Sequence, residues 1–307
     1  MVHGEFEPHV RNGTYTPKQL EAFEREGVEV EHKGTSVELV IPLELAFGNP
    51  GLRPSVGLGP LLRGLGKERQ YKNDEQNDES MRSVLFQIPK SGNPDPASCG
   101  TPTLKPGCFS DVQDLGAIDL ERGRDHGMPS YNQMRIAYGL APRHSFTAIT
   151  GEKTSSFPRS PLINRRDPID DPNILDFVAL KNARGERVPV KGEPAQEEAT
   201  VGIRRTTLAA RLRAIYGAGK VARVDAFVGM LSEPHVRGTE FGPLQLAIWK
   251  RQFEALRDGD RFFYLDDPEL GRIEQRYGID YRKTLTEIIR LNTGEKTQAN
   301  VFKAPLD

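Results

Sequence analysis

Asp119 and Arg122 end an apolar run, Val112, Leu115 and Ile118, in a segment whose spacing predicts a helix over 111–124. At 3.6 residues per turn Val112, Leu115, Asp119 and Arg122 fall in one stripe, with Ile118 beside it. A carboxylate and a guanidinium on such a stripe must be partnered if they are buried, because an unpaired charge costs several kcal/mol. Two chemistries fit the pattern. In the first, the two side chains pair with each other at i, i+3 or lie at a frayed helix end. In the second, Asp119 accepts an N–H from an imidazole while Arg122 binds an anionic group such as a cofactor carboxylate. Spacing alone does not choose between them. The run that follows, Glu121-Arg122-Gly123-Arg124-Asp125-His126-Gly127-Met128-Pro129-Ser130-Tyr131-Asn132, packs two arginines, an aspartate and a histidine between glycines, ahead of a proline and a new helix.

The chain holds six histidines, His3, His9, His32, His126, His144 and His235. His126 belongs to the Arg-Asp-His-Gly turn, where a structural role is expected, with Arg124 and Asp125 anchoring the loop through hydrogen bonds. His144 and His235 fall in loops and are expected to be exposed. Cys99 and Cys108 bracket the second half of a loop rich in proline and glycine, close enough for a local disulfide if the loop folds back. Two reduced thiols fit the spacing equally.

Positioning these groups falls to a chain of 307 residues with 30 glycines and 23 prolines, long enough for one large domain or two small ones with many interruptions. Forty-two basic residues against 43 acidic ones leave a net charge of -1, which offers nothing to nucleic acid or to an anionic membrane. The longest apolar candidate, Val37 to Phe47, is broken by Glu38, Pro42 and Glu44, so no membrane span is expected. The first residues have neither a charged leader nor an apolar signal core.

Residues 1–55 are poorly patterned, with a short helix expected over 17–25, an extended stretch over 37–45 and a turn at Asn49-Pro50-Gly51. Residues 56–66 predict one or two short, glycine-punctuated helical turns. Met81, Val84, Leu85 and Ile88 make one helical stripe over 79–88. Helical spacing recurs over 111–124, 130–139, 172–182, 203–216, 223–232, 241–257 and 280–290. The segments 89–110, 150–172 and 184–199 predict long surface loops. The expected class is mainly α, with long irregular connections and very little β.

The block from Asp114 through Tyr131-Asn132 to Arg135 resembles the signature of the animal-type haem peroxidases, the superfamily of the myeloperoxidases, the cyclooxygenases and their bacterial relatives. Val224 to Pro234 followed by Phe241-Gly242-Pro243-Leu244 is similar to the family's next helix and turn. Gln252-Phe253 with Leu256 to Phe262 resembles another of its hallmarks, and Asn292-Thr293-Gly294 and Asn300-Val301-Phe302 fit its C-terminal pattern. Weaker similarity at Pro42 to Phe47 and Gly59 to Leu65 extends the match, which runs from about residue 40 to 302 in order.

That resemblance implies a haem-peroxidase-like helical domain that uses hydrogen peroxide to oxidise a small reducing substrate, with a role in the response to oxidative stress. In the family a proximal histidine holds the haem iron and a distal histidine and arginine help split the peroxide. Asp119 matches the position, asparagine or aspartate in relatives, that accepts the proximal imidazole's other N–H. Arg122 matches the arginine that pairs with a haem propionate, and Leu115 and Ile118 would line the proximal wall. None of the six histidines matches the proximal or distal position. The family's proximal segment reads Arg-x-x-His-Ser-Met-Val, and Met1-Val2 resembles its end, which puts the expected iron ligand upstream of Met1, with the distal residues and the calcium loop farther upstream still. Residues 1–307 are therefore expected to be a single C-terminal portion of the domain, supplying the proximal side of the pocket, with a separately encoded N-terminal portion as a candidate partner and His3 as a conceivable substitute ligand. A catalytically inactive structural or interaction fragment is the main alternative. A fatty-acid dioxygenase of the same superfamily is another, although its catalytic tyrosine has no convincing equivalent here. Secretion is common in the family and favours a Cys99–Cys108 disulfide.

Overall fold

The computed structural model describes residues 9–13, 15–34, 36–41, 45–46, 49–67, 73, 75, 87–89, 109–158, 177–182, 184–189 and 201–303. In chain order it contains β1 (His9–Gly13), α1 (Pro17–Glu26), β2 (Glu29–Lys33), β3 (Ser36–Val40), α2 (Leu52–Val56), α3 (Leu58–Leu65), β4 (Gln87–Pro89), β5 (Phe109–Val112), α4 (Leu115–Asp125) and α5 (Tyr131–Ala137). There follow α6 (Phe146–Thr150), β6 (Phe177–Lys181), β7 (Arg187–Val188), β8 (Val201–Arg204), α7 (Leu208–Tyr216), a 3-10 turn at Val221–Arg223, α8 (Ala226–Leu231), α9 (Pro243–Gly259), α10 (Pro268–Tyr277) and α11 (Leu285–Thr293). The described residues are mainly helical, as expected. No helix among them is long and apolar enough to cross a membrane.

Two apolar centres organise these elements. The first is built from Phe23 of α1, Val28, Leu39 and Ile41 around β3, and Leu52 and Val56 of α2. Here the expected short helix begins with a capping box, Thr16 and Gln19 satisfying each other's backbone, and ends at Gly27, whose φ of 95° suits a residue without Cβ. The poorly patterned start nonetheless makes a three-stranded antiparallel sheet in the order β1-β3-β2. The second centre joins Tyr131 of α5, Phe146 and Ile149 of α6, Ala209 and Leu212 of α7, Val221 and Val224 at the 3-10 turn, and Leu244 of α9. Three of the contributing helices start at a polar cap: Ser130 for α5, Ser145 for α6 and Thr207 for α7. At the other end of the chain, Arg63 pairs with Glu295 and Gln298 bonds the Gly66 carbonyl, tying the C-terminal segment back to α3.

Several expected helices differ. Residues 177–181 of the expected helix 172–182 form β6, the middle strand of an antiparallel sheet in the order β7-β6-β8. Phe177-Val178-Ala179-Leu180 is a continuous apolar run, and periodicity cannot separate such a run from a helix; pairing with two neighbours decides it. β7 and β8 likewise replace parts of the expected loop 184–199 and of the expected helix 203–216, which starts only at Leu208 behind its Thr207 cap. Ile88 belongs to β4, paired with β5, rather than to a helix. Met81, Val84 and Leu85 lie outside the described residues, as do Cys99, Cys108, His3 and residues 90–108 and 159–176. The short α6 and the ten-residue α10 were not among the expected helices.

Candidate functional site

The expected helix 111–124 is cut in two by Asp114. Its side chain accepts the Ala117 N–H at 3.0 Å and starts α4 at Leu115, which leaves Val112 in β5 and off the helical stripe. The remaining stripe residues share α4, but none of them is buried: Leu115 and Ile118 are half-buried, and Asp119 and Arg122 expose 51% and 64% of their side chains. Arg122 Nη1 lies 3.5 Å from Asp119 Oδ1, at the limit of a hydrogen bond. An exposed i, i+3 pair of that length contributes a fraction of a kcal/mol, so both groups keep most of their bonding capacity for another partner.

The C-terminal end of α4 is held firmly. Arg124 grips Asp225 with two bonds, Nε to Oδ1 at 3.1 Å and Nη2 to Oδ2 at 3.2 Å, and reaches Glu121 at 2.6 Å. The Tyr216 hydroxyl donates to the second oxygen of Asp225 at 2.6 Å. Burial alone would raise the Asp225 carboxyl, but the bonds from Arg124 and Tyr216 outweigh it and hold the pKa below its ordinary value. Burial and the bond to Asp225 push the Tyr216 phenol up, so it stays a donor. The Met128 N–H closes the end of the helix on the Gly123 carbonyl at 2.8 Å, with Gly127 at a φ of 67° in between.

The Asp125 side chain, by contrast, is exposed and makes no hydrogen bond among the described residues, so the side-chain anchor is Arg124 alone. His126 caps α4 through its backbone and is exposed, as is His144; His235 is half-buried and His32 exposed. Two recesses flank α4. A cleft of about 150 Å³ between α4 and the start of α8 is bordered by Asp119, Arg124, Arg223 and Asp225. An open depression on the other side is bordered by Ile118, Arg122 and His126. Asp119 borders the cleft and Arg122 the depression, and the two side chains meet between them at 3.5 Å.

A second polar centre lies beneath the site. Glu233 Oε1 accepts from the Tyr131 hydroxyl at 2.7 Å and from Arg135 Nη1, while Oε2 accepts the Leu244 N–H at 2.7 Å. Arg135 Nε also donates to the Ala141 carbonyl at 2.7 Å. Tyr131, Arg135 and Glu233 are 0%, 3% and 5% exposed, so a buried ion pair with satisfied lone pairs joins α5, the end of α8 and the start of α9. Burial, and then the neighbouring Glu233 carboxylate, push the Tyr131 phenol up. Two glycines make room for it. A Cβ on Gly229 would lie 2.2 Å from the Tyr131 ring, and one on Gly242 would lie 2.4 Å from Glu233 Cβ. The sequence shows the i, i+4 spacing of Tyr131 and Arg135, but nothing in it pairs them with a glutamate about a hundred residues away.

The family model for the animal haem peroxidase matches residues 13–159 and 193–302, which together are most of the chain and include both polar centres. The chain belongs to the animal haem peroxidase family. Among curated relatives of this family member, thyroid peroxidase of Canis lupus familiaris is 28% identical over 240 residues, which is 78% of the chain and 18% of that protein. Lactoperoxidase of Mesocricetus auratus is 26% identical over 250 residues, 80% of the chain and 25% of the relative. Peroxinectin A of Dictyostelium discoideum is 25% identical over 265 residues, 86% of the chain and 35% of the relative. The solved structure of peroxidase A from Dictyostelium discoideum shares the fold with a TM-score of 0.55 at 23% identity, over 97% of the chain and 40% of that structure. The chain thus spans about a third or less of the length of these curated relatives.

The residues of α4 suit the rim of a haem. Arg122 presents an exposed guanidinium and Asp119 an exposed carboxylate, next to the half-buried Leu115 and Ile118, which is a lining chemically compatible with such a group.

Proposed function

We propose that the chain forms the proximal side of the haem pocket of a peroxidase that couples hydrogen peroxide reduction to oxidation of a small reducing substrate. The observation that carries this reading is the placement of Asp119 and Arg122 side by side, exposed, on a helix whose end is fixed by the Arg124–Asp225 bonds, inside the segment matched by the family. Asp119 accepts the imidazole N–H, orients the ring and, as a stronger acceptor than an amide, makes it more imidazolate-like. Arg122 pairs with a carboxylate at the haem edge, and Leu115 and Ile118 exclude water from that wall. Haem held there would supply the redox chemistry of peroxide reduction. In this reading the axial histidine, the distal acid–base residues and the family's calcium loop are contributed by polypeptide beyond these 307 residues.

Hemin titration at the Soret band, together with peroxide-dependent oxidation of a phenolic dye, tests the reading. The chain alone is expected to bind hemin weakly and turn over little, and co-expression with the reading frame upstream of the Met1 codon is expected to raise both. A tight, stoichiometric Soret band on the chain alone would overturn the assignment of the iron ligand to other polypeptide. The Arg122–Asp119 contact at 3.5 Å also favours a second reading, in which the two form only an internal ion pair of an inactive interaction fragment. That reading predicts no spectral change with hemin under either condition.

A further inference from the structure

Met128 is 49% exposed, whereas the two other described methionines, Met134 and Met230, are half-buried and pack against the second apolar centre. It stands in the short turn between α4 and α5, after Gly127 and before Pro129. Its side chain lies on the bare backbone of Gly123: a Cβ on that glycine would sit 3.7, 3.8 and 3.9 Å from Sδ, Cβ and Cε of Met128. The Met128 N–H donates to the Gly123 carbonyl at 2.8 Å, so side chain and backbone of one residue close the end of α4 together. This is the end of the helix that Arg124 fixes to Asp225. Met128 also borders the cleft between α4 and α8, alongside the exposed Asp119 and Arg223. Charged, exposed groups keep that cleft wet, and a molecule as small and polar as hydrogen peroxide reaches the sulfur through it.

We propose that Met128 is a modification site at which hydrogen peroxide oxidises the chain itself, converting the thioether to a sulfoxide and loosening the end of α4. A lone pair of Sδ attacks one peroxide oxygen; an S–O bond forms as the O–O bond breaks, and the departing hydroxide takes the proton of the transferred oxygen and leaves as water. Sulfur loses two electrons and the peroxide gains them. The sulfoxide is polar and chiral where the thioether was flexible and apolar, so it leaves the apolar contact with Gly123 for water. The inference goes beyond the proposed haem site, because the step needs peroxide and no haem.

The test treats the 307-residue chain, free of hemin and in the presence of a metal chelator, with increasing hydrogen peroxide, and follows each methionine by peptide mass spectrometry. Met128 is expected to gain one oxygen at least about tenfold faster than Met134 and Met230, in line with its exposure. Amide exchange measured by NMR on the oxidised protein should be at least about threefold faster at the Met128 N–H than before treatment, as local opening becomes easier. Met128→Leu keeps an apolar side chain of similar volume on Gly123, and its exchange at position 128 should be unchanged by the same treatment. Oxidation of Met134 or Met230 as fast as Met128, unchanged exchange after complete oxidation of Met128, or an equal rise in Met128→Leu would each overturn the inference. None of these readouts involves haem, so they succeed or fail independently of the hemin titration.

Discussion

Replacing Glu233 by glutamine probes the buried polar centre with almost no change in shape. The carboxylate accepts three donors, the Tyr131 hydroxyl and Arg135 on one oxygen and the Leu244 N–H on the other. A glutamine has only one acceptor atom. If its oxygen faces Tyr131 and Arg135, its NH2 confronts the Leu244 N–H; if it is flipped, the NH2 confronts two donors. Either way Arg135, 3% exposed, keeps a charge without a counter-ion. Breaking one side of a buried ion pair costs about 3–5 kcal/mol, against a total stability of about 5–15 kcal/mol for a typical domain. Glu233→Gln should therefore lower the melting temperature by about 10 °C, at about 2–4 °C per kcal/mol for a domain of this size. Urea denaturation followed by circular dichroism measures the change, with Glu121→Gln, at a side chain 72% exposed, as a control expected within about 0.5 kcal/mol of the parent. A Glu233→Gln loss below about 1 kcal/mol would refute the claim that this carboxylate holds α5, α8 and α9 together.

Other consequences follow from the same contacts. Gly229→Ala should destabilise by about 1–3 kcal/mol or more, since its new methyl lies 2.2 Å from the Tyr131 ring, whereas Gly259→Ala, with nothing within 4 Å, should be neutral or stabilising in the same melts. Asp225 has a folded pKa below its ordinary 3.8, so the stability it contributes is full above the unfolded value and is lost as pH falls through the folded one. Stability measured from pH 6 down to pH 2 should consequently fall less steeply below pH 4 in Asp225→Asn than in the parent. Because Arg124 is half-exposed, the difference at pH 6 should be about 1 kcal/mol or less.

The sequence made α4 legible, along with the adjacency of Asp119 and Arg122, because both depend on a local period and a local cap. Burial of that stripe was not legible: the expected apolar face ends in groups that this chain leaves exposed, and Val112 is drawn off into β5 by pairing with β4. β6 was hidden for a related reason, since Phe177 to Leu180 carries no period and its partners, at 187–188 and 201–204, are distant in sequence. The Tyr131–Arg135–Glu233 centre escaped altogether as a unit. Its members stand in recognisable blocks, but the contact between blocks belongs to tertiary structure. Arg124 was foreseen as an anchor and Asp225 as a member of a helix block, yet their pairing over a hundred residues was not.

The central claim, that Asp119 and Arg122 face a haem, is tested most directly by hemin titration of the parent and Arg122→Leu in saturating imidazole, which stands in for an axial ligand. A charge-assisted bond from an exposed guanidinium to a propionate, at about 1.4 kcal/mol, predicts about tenfold weaker binding in Arg122→Leu with an unchanged melting temperature. Equal affinities for the two proteins would contradict the account.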